Sequence, residues 1–138
     1  MKHIKIWTLI IILLAVDLLS KYFFYNQKTL TNFLITPTFN TGVARSLPIP
    51  LFLVIIITIG VLIGIYWIFI NKKIGRIFLG FFIAGTLGNL IDRVRLGGVR
   101  DFININVFNF PIFNVADILL NIGIIGLLVQ TFFLEKKK

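Results

Sequence analysis

Three of the chain's five acidic residues, Asp92, Asp101 and Asp117, fall between Gly85 and Asp117, and a fourth, Asp17, stands inside the first apolar run. The stretch lies where one greasy run ends and the next begins. A carboxylate at membrane depth is costly and needs a reason. Two carboxylates held close can share one proton: the charged one takes a proton from water, and the neutral one polarises a carbonyl. Like-charge repulsion and a low dielectric separate their pKa values, the logic of aspartic proteases. The pattern points to acid–base chemistry at a membrane surface. Four aspartates are available, and spacing alone does not choose the pair.

Each candidate also has a structural reading. Asp17 has Lys21 at i+4, a helical ion pair. Asp92 has Arg93 and Arg95 nearby. Asp117 follows Asn114 by three residues, which resembles a capping pair at a helix start. Asp101 reads as a solvated loop carboxylate, and Asn89 as glue between helices. Serine chemistry is the rival. Only Ser20 and Ser46 exist, with Lys21 and Lys28 as candidate bases. Adjacent residues on a helix point about 100° apart, which disfavours a Ser20–Lys21 dyad. There is no cysteine and a single histidine, His3, so thiol nucleophiles and histidine-rich zinc sites are excluded.

These residues need elements to hold them. The chain has 138 residues, of which 58% are hydrophobic and only 14% charged, against about 25% charged in a soluble domain. Its mean hydropathy is +0.99. Lipid is therefore the expected solvent. The net charge is +9, but the lysines gather at the ends of apolar runs, as topology signals do. This argues against nucleic-acid binding.

One integral membrane domain is expected, with transmembrane helices at about 4–25, 51–70, 75–93 and 115–134 and extramembrane segments at about 26–50 and 94–114. The first run starts like a signal peptide but lacks a small-x-small cleavage site, and is read as an uncleaved helix. Asp17 lies 12 residues past Lys5, roughly 18 Å at the helical rise, in the outer half of the bilayer. Gly60-x-x-x-Gly64 suits close helix packing. Gly80, Ala84 and Gly88 form one narrow face of the third helix, with Gly85, Asn89 and Arg93 in a neighbouring row. Phe33–Ile35 and Thr38–Phe39 are candidate short strands. Residues 94–113 are read as a loop, within which Phe102–Val107 alternates like a strand on the membrane surface.

Lys2, Lys5, Lys72, Lys73, Arg76 and Lys136 to Lys138, less Glu135, leave +7 on one side, against +2 on the other. Positive-inside places both termini in the cytoplasm and the aspartates toward the far side. The fold class is a membrane all-α bundle of four transmembrane helices with a small extracytoplasmic β-containing cap. A competing class is a non-enzymatic membrane scaffold or a proton or ion transporter subunit, with the aspartates carrying the ions.

Five segments carry a family resemblance: Asp17-Leu18-Leu19-Ser20-Lys21, Asn40-Thr41-Gly42-Val43-Ala44, Gly88-Asn89-Leu90-Ile91-Asp92-Arg93, Val99-Arg100-Asp101-Phe102 and Phe113-Asn114-Val115-Ala116-Asp117. Together, and in this order, they resemble the boxes of the prolipoprotein signal peptidase family, signal peptidase II. The resemblance implies an aspartic endopeptidase of the bacterial cytoplasmic membrane. It would cut diacylglyceryl-modified prolipoproteins before the lipidated cysteine, with the active site facing the extracytoplasmic side. It implies Asp101 and Asp117 as the catalytic pair. Asn89, Asp92, Arg93 and Asn114 would support them, Asp17 and Lys21 would hold the first helix, and Asn40 would lie near the substrate. Gly42 and Ala116 belong to the same boxes. No metal or cofactor is implied. The peptide antibiotic globomycin is the implied inhibitor, and membrane lipid a partner. The chain departs from the family at Arg45, where a large aromatic is usual, and at Ile118, where a small residue is common.

Overall fold

The computed structural model describes residues 2–26, 33–42, 49–71 and 75–135. Arg45, Ser46, Lys28 and the terminal lysines lie outside them. The element order is α1 (Lys2–Ser20), a π-helical turn (Lys21–Tyr25), β1 (Ile35–Asn40), α2 (Leu51–Asn71), α3 (Arg76–Leu96), β2 (Val99–Ile103) and α4 (Val115–Glu135). Among the described residues, four helices are long and apolar enough to cross a membrane.

The third helix is the centre. Half of its span is buried, against 6% for α2, and it packs against α4, α1 and α2. Its small residues explain the close approach. A Cβ on Gly80 would meet the Leu9 side chain on α1, and one on Gly88 would meet the Asp17 carboxylate. A Cβ on Gly85 would run into the α4 backbone at Ala116 and Leu120. The two rows of α3 thus serve two different neighbours. Ile6, Ile10, Leu79, Ala84 and Leu119 form the buried apolar cluster between them.

The glycine pair of α2 behaves otherwise. Nothing lies within 4 Å of a Cβ built on Gly60 or Gly64. The expected packing motif faces away from the bundle, because α2 meets α3 through other residues, such as Ile65 and Phe69.

Gly97 ends α3 with φ +81°, its N–H donating to the Arg93 carbonyl at 3.0 Å. Only glycine holds that left-handed position cheaply, and the chain turns straight into β2. The sequence reads residues 94–113 as a loop that is strand-like only from Phe102; instead α3 runs on to Leu96 and the strand begins already at Val99. β2 pairs antiparallel with β1, with Thr38 opposite Asp101 and Asn40 opposite Val99. Phe33 and Leu34 lie before β1, so that strand starts later than expected.

The alternating run 102–107 does not continue as a strand past Ile103. Asn104 Oδ1 accepts the Asn106 N–H at 2.9 Å, and Asn106 takes φ +50°. A side chain that bonds its own backbone competes with the sheet ladder. Beyond that turn the chain returns to make an isolated bridge between Ile103 and Phe113. This bridge delivers the start of α4 to the side of β2.

Candidate active site

Strand pairing sets the site. Asn40 lies on the strand face shared with Thr38, across from Asp101, and Asn40 Nδ2 donates to Asp101 Oδ2 at 3.1 Å. Gly42 is buried, and its N–H donates to Asn40 Oδ1 at 3.0 Å, which fixes the amide's orientation. The Ile103–Phe113 bridge brings up Asn114, whose Nδ2 donates to Asp101 Oδ1 at 2.6 Å. Asp101, which local spacing alone reads as a solvated loop group and the resemblance as one of the catalytic pair, is only 3% exposed.

Asn114 also caps α4. Its N–H donates to Asp117 Oδ2 at 3.0 Å, and the Asp117 N–H donates back to Asn114 Oδ1 at 3.1 Å. This reciprocal pair satisfies orphan donors at the helix start. One asparagine therefore holds both carboxylates, its amide on Asp101 and its backbone on Asp117. Asn89, one turn before Arg93 on α3, donates to Asp117 Oδ1 at 2.7 Å. Its Oδ1 accepts from Asn114 Nδ2 and from Lys21 Nζ, both at 3.1 Å.

Beneath this layer lies a buried ionic frame. Asp17 and Lys21 are both 0% exposed. Lys21 Nζ sits 2.8 Å from Asp17 Oδ2 and 3.7 Å from Asp92 Oδ2. Lys21 opens the π-helical turn, a feature that often marks function. Asp17 Oδ1 accepts the Ala116 N–H at 2.8 Å, tying α1 to the first turn of α4. Ala116 is itself fully buried.

Asp92 does not pair with Arg93 or Arg95 as its sequence neighbours suggested. Its partner is Arg100, whose Nη2 lies 2.8 Å from Oδ1 and whose Nε donates to Oδ2 at 3.2 Å; the Arg100 backbone N–H adds a third bond at 3.1 Å. Successive strand side chains point to opposite faces, so Arg100 turns to Asp92 while Asp101 turns to the asparagines. Sequence reasoning missed Arg100 because helical spacing rules look only three or four residues away. Arg93 is half-buried, and its charge attracts Asp117 and Asp101. Among the described residues no buried side-chain nitrogen or oxygen lacks a partner.

Burial, and after it the charge of Asp117, raises the Asp101 carboxyl from its ordinary 3.8 to about 6, against hydrogen bonds from Asn40 and Asn114 that oppose the rise. The site thus sets a carboxyl that gives up its proton less readily than an ordinary aspartate beside the Asp117 side chain. That is an arrangement for general acid–base work on a carbonyl.

A membrane bundle with a paired-carboxylate site under a two-stranded sheet is the class that fold and geometry define. The family model for signal peptidase (SPase) II matches residues 9–133, and the chain belongs to the signal peptidase II family. A lipoprotein signal peptidase of Gloeothece citriformis is 33% identical over 91% of this chain and 88% of its own length. One of Enterococcus faecalis is 43% identical over 70% of this chain and 63% of its own. One of Dehalococcoides mccartyi is 50% identical over 51% of this chain; there the match spans about half of the relative's length, 48%. A bacterial membrane enzyme solved by the in meso method at 2.3 Å resolution superposes with a TM-score of 0.84 at 29% identity, covering 97% of this chain and 91% of that one.

Proposed function

We propose that the chain is an aspartic-type endopeptidase that removes the signal peptide from diacylglyceryl-modified prolipoproteins, cutting before the lipidated cysteine. Membership of the signal peptidase II family supports the substrate class. The observation that carries the aspartic chemistry is that Asn114 bonds Asp101 through its amide and Asp117 through its backbone. The positive-inside count favours cytoplasmic termini, with the site on the extracytoplasmic side.

In this reading the scissile carbonyl lies between the two carboxyls. Asp117 takes a proton from a water whose oxygen attacks the carbonyl carbon. Asp101, drawn toward its protonated form, gives its proton to the carbonyl oxygen. The resulting diol collapses: the C–N bond breaks, the proton on Asp117 passes to the leaving amine, and a hydroxyl proton returns to Asp101. Both groups regain their starting states, and one water is consumed. Arg93 offsets the negative charge of the pair. Asn89, Asn114 and Asn40 hold the carboxyls, Gly42 holds Asn40, and Asp17, Lys21, Asp92 and Ala116 hold the helices that carry them. Membrane lipid would surround the substrate's acyl chains, and globomycin is the expected inhibitor.

The transporter reading has no observation in its favour. Asp17, its best candidate ion carrier, is committed to Lys21 and to the Ala116 N–H. Incubating the purified chain with a diacylated prolipoprotein tests the proposal. Release of the signal peptide, blocked by globomycin, is expected. No cleavage in lipid, together with proton flux that depends on Asp17, would return the transporter.

A further inference from the structure

Residues 102–116 carry no charged side chain, although most of them lie outside the spanning helices. Their polar side chains are asparagines, of which Asn104 is half-buried and Asn106 and Asn109 are exposed, and the first two bond back to the segment before β1. The Asn104 N–H donates to the Leu34 carbonyl at 2.9 Å, and Asn106 Nδ2 donates to the Phe33 carbonyl. The apolar groups are turned out. Phe108 is 97% exposed, and Val107 and Phe110 are about half exposed. Phe33 and Leu34, bonded alongside, are also largely exposed. A tight turn closed by the Phe110 N–H on the Val107 carbonyl carries Phe108 at its tip. Phe108 holds φ +47°, in the left-handed region that bulky residues avoid. A strained aromatic held out into water would lose twice, by strain and by hydration. An aromatic held out into an apolar medium would not.

We propose that the loop 104–112 is an interfacial anchor, with Val107, Phe108 and Phe110 seated in the boundary between headgroups and acyl chains of the leaflet next to the sheet. The loop is continuous with the membrane surface already defined by the spans, since α4 begins at Val115. Aromatic and amide groups suit that zone, and the missing lysines and arginines make the contact apolar rather than electrostatic. The occupant is therefore the lipid itself, zwitterionic lipid included. The anchor would fix the depth of β2, and with it the height of Asp101 above the bilayer. The inference stands apart from the peptidase reading, since loop depth can be read whether or not the chain cleaves anything.

The chain contains no cysteine, so Phe108→Cys and Val107→Cys each accept one nitroxide label. The labelled proteins, checked for folding by thermal melting, go into phosphatidylcholine nanodiscs without substrate. Collision rates with oxygen and with a water-soluble nickel chelate are then compared. The expected result is oxygen access several-fold above nickel access at both sites, matching a label at Ile56→Cys on the exposed face of α2. It should be unchanged when a third of the lipid is anionic. Nickel access exceeding oxygen access at both sites would overturn the anchor. So would insertion that needs anionic lipid. Labels that are wet alone and become protected only on adding a prolipoprotein peptide would make the loop a substrate clasp, which also overturns it.

Discussion

Asp17 and Ala116 lie 99 residues apart, yet the Asp17 carboxylate accepts the Ala116 backbone N–H at 2.8 Å. A side chain of α1 thus caps the helix that carries Asp117. The same carboxylate holds Lys21, and Lys21 reaches Asn89 and Asp92. One buried ion pair thereby connects three helices directly beneath the paired aspartates.

Asp17→Asn should destabilise the fold as well as slow turnover. It leaves the Lys21 ammonium buried with its nearest partner neutralised, and breaking a buried pair costs roughly 3–5 kcal/mol. Thermal unfolding in detergent should show a large drop in Tm. A variant that melts like wild type would refute the structural role.

The fork on Asp92 predicts a graded series. Arg100→Lys keeps the charge but loses an arm, a loss of roughly 1.5–3 kcal/mol for a bond to a charged group. Arg100→Met leaves Asp92 with Lys21 at 3.7 Å and one backbone N–H, and should cost more. Melting temperatures are expected in the order wild type, Lys, Met. Equal stability of Arg100→Met and wild type would show that the fork contributes nothing.

Two glycines separate packing from propensity. Gly85→Ala should be destabilising by roughly 1–3 kcal/mol, because the new methyl meets α4 backbone, including the Leu120 nitrogen at 2.7 Å. Gly60→Ala should be neutral or mildly stabilising, since its Cβ meets nothing. A reversed order in detergent melts would contradict the packing described for α3.

Asp101 makes stability depend on pH. Its carboxyl is raised to about 6 in the fold from an ordinary 3.8. Between those values the folded chain holds a proton that the unfolded chain has released. Asp101's contribution is therefore most favourable below about 3.8 and is lost as pH rises through 6. Lowering pH from 7 to 5 should raise Tm relative to Asp101→Asn, which lacks the group. An identical pH dependence in the two proteins would count against the raised carboxyl.

How far the sequence carried the fold can be seen in particular residues. The four spans were legible because lipid selects long uncharged runs. The rows Gly80–Ala84–Gly88 and Gly85–Asn89 were legible because only small residues permit a neighbour, although not which neighbour. Gly60 and Gly64 look the same in sequence and face open space, since a partner is a tertiary fact. The partner of Asp92 was illegible because it lies across the Gly97 turn. The end of β2 was illegible because the alternation continued while the asparagines bonded their own backbone. Asn114 was legible as a cap, but its hold on Asp101 depends on a bridge between Ile103 and Phe113 that no local pattern announces.

The central claim is that Asp101 and Asp117 work as one unit. Its most direct test is cleavage of a diacylated prolipoprotein by wild type, Asp101→Asn and Asp117→Asn, each shown to be folded in detergent. Wild-type cleavage, with a loss of at least about a thousandfold in both folded variants, is the predicted result. Undiminished cleavage by either variant would contradict the paired mechanism and send the search for the catalytic group elsewhere on the sheet-bearing face.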